Sequence, residues 1–197
     1  MGKTVDGSII APTIAEGCIL REGLPLDKLD GESEEDVMEI SPCTSQKGKI
    51  LAEVDLAKDS GGNFLDSELL CLLLESYQPR FTALKCSSTL GVGRLMWKDH
   101  RAYVYENGSF KIRFAQDRKD VINTLKALGS LILPSVYCKK CNCPAIDCIN
   151  GGCGNCIEPD SFRMVKISDF PNGDILAKSR DALLDSLDKI KNLHSSY

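Results

Sequence analysis

Histidine is scarce in this sequence, with two among 197 residues, and the common catalytic patterns are missing. No Ser-His-Asp set, paired acidic motif or phosphate-binding loop can be assigned. We therefore do not expect an enzyme that works by ordinary side-chain acid–base chemistry, although the sequence leaves enzymatic activity undecided. Histidine is also a poor source of metal ligands here, because His100 and His194 are distant along the chain from the other candidate ligands.

An excess of positive charge is missing as well. The chain has 24 lysine and arginine residues against 28 aspartate and glutamate residues, for a formal net charge of −4. A protein whose main task is to grip nucleic-acid phosphates is usually basic, so a nucleic-acid partner is not expected. Hydrophobic residues make up 43% of the chain, which is enough for the core of one domain with attachments or of two small domains.

The sequence has no apolar run long enough for a membrane span, and the longest runs, such as Leu69–Leu74, are short. Residues 1–17 contain neither an apolar core nor a small-residue cleavage site, so no secretory signal is predicted. We therefore expect a cytoplasmic protein with no membrane partner. Thiols stay reduced in that compartment, where clustered cysteines indicate metal or redox chemistry more than structural disulfides.

Cysteine, in contrast, is abundant, with ten residues in the chain and six of them in one short segment. The six are Cys138, Cys141, Cys143, Cys148, Cys153 and Cys156. Most of these sulfur atoms are too close in sequence to lie in separate parts of a fold. Gly151, Gly152 and Gly154 give the backbone freedom that a loop needs to wrap a small object. The segment is therefore predicted to surround an inorganic centre, and all six cysteines are candidate metal and cofactor ligands.

The sequence divides into four predicted segments. Residues 1–46 form an acidic N-terminal extension, 47–134 an α+β domain, 135–160 the cysteine-rich metal-binding loop, and 161–197 a C-terminal strand and helix. Alternating apolar residues predict strands, and apolar residues three and four positions apart predict helices. The order within the α+β domain is a strand, a helix, several antiparallel strands and a second helix.

Individual residues predict where some of these elements begin, turn and end. Asp66 is predicted to cap the first helix, which Pro79 ends. Asn107-Gly108 is the strongest hairpin signal in the chain. The terminal helix carries one apolar stripe and is predicted to pack on the body of the protein. That stripe consists of Leu183, Leu184, Leu187, Ile190 and Leu193.

The α+β domain resembles one half-repeat of the TATA-binding-protein fold. The resemblance is carried by Arg80-Phe81-Thr82-Ala83-Leu84, the strand Leu95–Lys98, the hairpin Tyr103–Gly108 and the helix Asp120–Leu128. It covers under half of the chain and implies a curved antiparallel sheet backed by two helices. It does not imply DNA binding, because function depends on the site and not on the fold. A single half-repeat leaves a sheet face or edge that the other segments or a second subunit would cover, so a homodimer is one expectation.

The favoured cofactor is an iron–sulfur cluster, most simply of the 4Fe-4S type. Such clusters take four thiolate ligands, and closely spaced cysteines with glycine turns meet that need. The step Cys143-Pro144 is similar to ferredoxin-type sites, in which a proline commonly follows a ligand. The sequence does not decide which four of the six cysteines bind. The predicted function is electron transfer, or redox or sulfur handling for a partner enzyme, and the acidic extension would favour a basic partner.

Two alternatives stay open. Cys138-x2-Cys141 and Cys153-x2-Cys156 resemble the paired knuckles of a zinc ribbon, which would make the loop a structural or protein-interaction module. The third interpretation is a metal-free protein that exchanges thiols and disulfides through one such pair.

The four cysteines outside the loop are given simpler interpretations. Cys71 and Cys86 fall in a predicted helix and a predicted strand, where a free cysteine packs as a small apolar side chain. Cys18 and Cys43 belong to the extension, and the sequence gives no evidence that either joins the metal centre.

Overall fold

The computed structural model describes residues 17–29, 37–58, 63–150 and 172–194. Over these ranges the protein is an α+β fold, with a six-stranded antiparallel sheet and three helices longer than two turns. The strands are β1 (Met38–Pro42), β2 (Ile50–Asp55), β3 (Ala83–Ser87), β4 (Val92–Trp97), β5 (His100–Tyr105) and β6 (Ser109–Ala115). The helices are α1 (Ser67–Ser76), α2 (Arg118–Ile132) and α3 (Gly173–His194). No helix within the described ranges could span a bilayer.

The sheet has the strand order β1-β2-β6-β5-β4-β3, and each neighbouring pair is antiparallel. Side chains alternate between the two faces of a strand, and here one face is apolar. Its central row consists of Ala52, Ile112, Ala102 and Leu95, which are paired in register and buried. Helix α1 contacts β3 and β4, and α2 contacts β6. The predicted order of strand, helix, strands and helix matches the run from β2 to α2.

Both core helices begin at an aspartate whose side chain caps the first turn. The Asp66 carboxylate accepts a hydrogen bond from the Leu69 amide at 2.9 Å, as the sequence predicts, and Asp117 does the same for the Asp120 amide at 2.9 Å. Each helix then places an apolar stripe against the sheet. The buried residues of these stripes include Leu70, Leu73 and Leu74 in α1 and Val121, Leu125 and Leu128 in α2.

The predicted Asn107-Gly108 turn joins β5 to β6. Gly108 has a φ of +86°, a backbone conformation that side chains disfavour. A β-carbon added at Gly108 would lie 2.7 Å from the Ala57 β-carbon and 2.9 Å from the Phe64 ring. The turn therefore requires glycine for two separate reasons, its backbone angle and its close packing.

Gly108→Ala is expected to lower the free energy of unfolding by about 3 kcal/mol, because backbone strain and overpacking both contribute. Gly48→Ala is the matched control, since Gly48 has a φ of +78° and nothing lies within 4 Å of an added β-carbon. That variant should lose only the strain component, about 1 kcal/mol. Urea titrations of the two variants measure the difference, and equal losses would contradict the packing component.

The segment predicted as an N-terminal extension contributes to the folded body. Met38–Pro42 pairs with β2 as an edge strand, although the predicted domain boundary lay after residue 46. Cys18, Ile19 and Leu24 are buried in the core around a single helical turn, Ile19–Glu22. The Leu29 carbonyl accepts a hydrogen bond from the Arg118 guanidinium at 2.8 Å, which ties this segment to α2.

Helix α3 packs on the body through its first turns. Leu176 and Ser179 are buried, and the Ser179 hydroxyl lies 3.2 Å from the Tyr77 hydroxyl of the segment after α1. Leu183 is half-buried and Leu184 is exposed, so the predicted stripe is only partly turned inward there. The side chains of Leu187, Ile190 and Leu193 and the predicted strand at 162–167 lie outside the described residues.

The interpretation of Cys71 and Cys86 as free core cysteines is wrong. The two form a disulfide that links α1 to β3, and their α-carbons are 5.4 Å apart. Both side chains are only half-buried, because the Leu70, Leu73 and Leu74 stripe takes the inward face of α1. The packing of α1 against β3 thus brings together two residues that are separated by 15 positions in sequence.

Asp120 in the first turn of α2 is held as a carboxylate. Its Oδ2 atom accepts hydrogen bonds from the Gln116 amide at 2.9 Å and lies 2.8 Å from the His100 Nε2 atom. Burial by itself raises the pKa of Asp120, but the hydrogen bonds from Gln116 and His100 outweigh it, and the pKa lies below its ordinary value.

A lowered carboxyl pKa stabilises the fold above the pKa of the unfolded chain, and that contribution is lost as pH falls through the folded pKa. Asp120→Asn is therefore expected to cost about 1 kcal/mol at pH 7 and to cost nothing at a pH below the folded pKa. Chemical denaturation of both proteins across this pH range gives the comparison. A loss that stays constant with pH would show that the charge is not responsible.

Candidate metal centre

The cysteine-rich segment begins with a tight reverse turn between Val136 and Ala145. Tyr137 pairs with Pro144 in an antiparallel bridge, and the Cys138 amide donates to the Cys143 carbonyl at 2.9 Å. The Asn142 amide donates to the Cys138 carbonyl at 2.8 Å, and Asn142 itself has a φ of +54°. Asparagine tolerates this left-handed conformation better than most residues. The turn thereby brings Cys138 and Cys141 onto one side of a closed loop.

Cys138 is buried, with 1% of the residue exposed, and its thiol donates a hydrogen bond to the Gly17 carbonyl at 4.0 Å. The backbone amides of Ile19, Lys140 and Cys141 favour the ionised form of this thiol. Burial raises the pKa of the Cys138 thiol, but these amides and the Cys141 thiol outweigh it, so the pKa lies below its ordinary value. Amides that converge on one sulfur stabilise a thiolate, which is the form that binds metal.

Cys141 and Cys143 differ in where their sulfur atoms point. The Cys141 thiol hydrogen-bonds to the Cys138 sulfur, so these two side chains are neighbours. The Cys143 sulfur donates to the Cys141 carbonyl at 3.5 Å and is therefore directed at the backbone. The arrangement brings the C-x2-C pair together and leaves Cys143 beside it.

Cys18 is a residue that the sequence did not assign to this site. It is fully buried and immediately precedes the Ile19–Glu22 turn, whose first amide helps to lower the pKa of Cys138. The Gly17 carbonyl lies 4.0 Å from the Cys138 sulfur. The one available sequence signal was the apolar group Cys18-Ile19-Leu20 within an otherwise polar segment. Contact across more than a hundred positions could not be deduced from it.

The remaining predicted ligands are only partly described. Cys148 lies in the helical turn Ala145–Asn150, but its side chain is outside the described set, and Cys153 and Cys156 are outside the described residues altogether. Among the residues of ranges 17–29, 37–58, 63–150 and 172–194, no three histidine, cysteine, aspartate or glutamate side chains form a group that could hold a metal. The six-cysteine ligand set therefore stays a prediction.

A cleft of about 410 Å³ lies next to the turn. Tyr137 and Lys139, which flank Cys138, line it together with Phe64 and residues of the N-terminal turn. The Tyr137 hydroxyl donates to the Asp66 carboxylate at 3.1 Å, and burial together with Asp66 raises the pKa of Tyr137. The cleft gives solvent or a small partner access to the surroundings of the Cys138 loop.

Cys43 has a separate environment in the loop between β1 and β2. Its sulfur lies 3.3 Å from the Ser45 hydroxyl, which accepts a hydrogen bond from the Arg113 guanidinium at 3.1 Å. The hydrogen bond to Ser45 is the largest cause that lowers the pKa of Cys43 to about 7, and Arg113 adds to it. Cys43 is therefore partly thiolate at neutral pH.

Comparisons of the chain with protein-family models, with curated proteins and with solved structures found no match.

Proposed function

We propose that this protein holds a metal–thiolate centre in its cysteine-rich segment, that the centre is an iron–sulfur cluster, and that it serves electron transfer or redox or sulfur handling for a partner protein. The observation that carries the proposal is the closed turn that places the buried Cys138 beside Cys141, the first cysteine pair of the segment. Two thiols held together in a tight loop would supply half of the four-thiolate ligand set of such a cluster.

The ligand set would be built around the C-x2-C pair. Cys138 and Cys141 are neighbours in one closed turn, so they supply two thiolates with little rearrangement. A cluster needs two more, which would come from among Cys148, Cys153 and Cys156. The buried Cys18 is a further candidate from outside the segment, because it adjoins the Ile19 amide that contacts Cys138.

Zinc is the second candidate, and the position of Cys143 favours it. The Cys143 sulfur is directed at a backbone carbonyl and not at Cys138 or Cys141. If Cys148 is also spare, the ligand pattern is C-x2-C-x11-C-x2-C, which suits a tetrahedral structural zinc site. The protein would then be a structural or interaction module without redox activity.

We also propose that the domain from β2 to α2 is a half-repeat of the TATA-binding-protein type. It is supported by the pairing of β2 with β6, which places the first strand beside the last, and by two helices on one sheet face. The proposed setting is cytoplasmic, with a protein redox partner and, as a further proposal, a homodimer that covers part of the sheet.

Purification without oxygen, followed by analysis for iron, acid-labile sulfide and zinc, tests the proposal. Iron and sulfide together with a broad visible absorption band are expected for a cluster. Zinc in stoichiometric amount without sulfide would replace the cluster with the second candidate. A protein without either metal would overturn both.

Serine variants test the ligand set against matched controls. Cys138→Ser is expected to lose most of the metal, because Cys138 is the buried member of the pair in the closed turn. Cys43→Ser should retain the full amount, since Cys43 lies beside Ser45 and Arg113. Full retention in Cys138→Ser would refute a centre built on this pair.

A further inference from the structure

The sheet has a second face, opposite the one that carries α1 and α2. We call it the open face and define it by the alternate residues of β3 to β6 that point away from the helices. Its side chains are half-buried or exposed, in contrast to the buried rows on the helix side. The residues of this face are Ala83, Lys85, Ser87, Val92, Arg94, Met96, Arg101, Tyr103, Tyr105, Ser109, Lys111 and Arg113.

Positive charge is concentrated on the open face. Five of its residues are cations, namely Lys85, Arg94, Arg101, Lys111 and Arg113. The carboxylates of the same side, Glu39 of β1 and Glu53 and Asp55 of β2, lie at the other end of the sheet. Of the five cations, Lys111 makes an ion pair with Glu53 at 3.0 Å. The net charge of −4 for the whole chain thus conceals a strongly basic surface.

Two arginines of this face oppose each other directly. Arg101 of β5 and Arg113 of β6 are paired in register, and like charges in that position repel. Both guanidinium groups lie over the Phe114 ring, at 5.4 and 5.5 Å from its centre. Their Nε atoms are buried and have no hydrogen-bond partner among the described residues. An anionic group between them would relieve the repulsion and supply acceptors.

Aromatic rings alternate with these cations. Tyr103 lies in register between Lys111 and Arg94, and the Arg94 guanidinium is 5.8 Å from the centre of the Tyr103 ring. Tyr105 follows on the same face. Phe114 occupies the irregular position where β6 shifts register against β2, with a φ of +71°. Rings spaced between cations can stack on bases while the cations neutralise phosphates.

We propose that the open face binds single-stranded nucleic acid. Cations alone would suit any polyanion, but the interleaved tyrosines favour a ligand with planar groups over an acidic peptide. Stacking on a side chain requires unpaired bases, which a duplex does not present. Because all these residues lie on the sheet, the proposal is independent of the metal centre.

Fluorescence anisotropy with the full chain tests the proposal. The probes are labelled single-stranded RNA and DNA of about 12 nucleotides, a length within the range of one binding site, and a duplex of the same sequence. The single strands are expected to bind more tightly than the duplex, with an affinity that falls as salt increases. Equal or tighter duplex binding, or competition by polyglutamate as strong as by unlabelled single strands, would overturn the proposal.

The double variant R101Q/R113Q is expected to weaken single-strand binding by at least tenfold and to lower the salt slope by about 1.4, the value for two lost phosphate contacts. The matched control is K119Q/K178Q, which removes two exposed cations from α2 and α3 and should change affinity less than about twofold. Y103L should weaken binding by about tenfold without changing the salt slope, because it removes stacking and not charge.

Thermal unfolding shows whether a variant binds more weakly because it has lost a contact with the nucleic acid or because it no longer folds. R101Q/R113Q should melt close to the unmodified protein, since the removal of two opposed charges offsets the loss of the Arg113–Ser45 hydrogen bond and of the contacts with Phe114. Unchanged affinity in this variant, or equal loss in the K119Q/K178Q control, would refute a site on the open face.

Discussion

Leu74→Ala is expected to lower the free energy of unfolding by about 3 kcal/mol, one of the largest effects of any single substitution in this chain. Leu74 is 0% exposed on the inward face of α1. Its Cδ1 atom lies against Gly93 of β4, so close that a β-carbon at that glycine would be 2.6 Å away. Truncation would open a cavity between the helix and the sheet, which the rigid backbone of β4 could not fill.

Leu72→Ala is the matched control for this prediction. Leu72 lies two positions away in the same helix but is 45% exposed. The two substitutions change helix propensity equally, so the difference between them measures burial. The control should change stability by less than about 0.5 kcal/mol in denaturant titrations. Similar losses in both variants would mean that α1 does not pack on the sheet as described.

Local signals in the sequence were sufficient for much of the domain between β2 and α2. The Asp66 cap and the Asn107-Gly108 turn both depend on residues close in sequence, and both are found. Strand β1 was missed because its residues follow an acidic run and end at Pro42, a composition typical of a solvated arm. An edge strand pairs on one side only, so it needs less apolar character than a central strand.

The features that could not be predicted from the sequence depend on contacts between residues that are far apart along the chain. Cys71 and Cys86 each look like an ordinary apolar position, and only the docking of α1 on β3 makes them neighbours. Gly17 and Ile19, the neighbours of Cys18, similarly reach Cys138 through the folding of a segment that lies more than a hundred residues earlier. The tight turn at Cys138 and Cys141 was predictable as a loop. The effect of the Ile19 amide on the pKa of Cys138 was not, because Ile19 lies far away in sequence.

The net charge of the chain likewise did not predict where the charged side chains lie in the fold. A net charge of −4 predicts a surface that repels polyanions, yet the pairing of β3 to β6 gathers five cations on one face. Alternation within each strand was visible in the sequence. The register between strands, which sets Arg101 opposite Arg113, was not.

Removal of the Cys71–Cys86 disulfide by the double variant C71S/C86S is expected to lower the free energy of unfolding by about 3 kcal/mol, the entropic contribution of a closed loop of this length. The measurement is a denaturant titration without added reductant, because a reductant would cleave the Cys71–Cys86 disulfide of the unmodified protein. Cys43→Ser serves as the control, since Cys43 is a free cysteine, and it should change stability far less.

The Cys71–Cys86 disulfide also has to be reconciled with the expected cytoplasmic setting. A cytoplasmic protein keeps its thiols reduced, and α1 would then be held to β3 by its leucine stripe without the covalent link. The stability of the unmodified protein in reductant should therefore approach that of C71S/C86S, whereas the stability of the double variant, which lacks this disulfide, should change far less when reductant is added. If the unmodified protein and C71S/C86S unfold at the same denaturant concentration without reductant, Cys71 and Cys86 are not bonded in solution. The attachment of α1 to the sheet then depends on packing alone, and the loss in Leu74→Ala measures that packing where α1 meets β4.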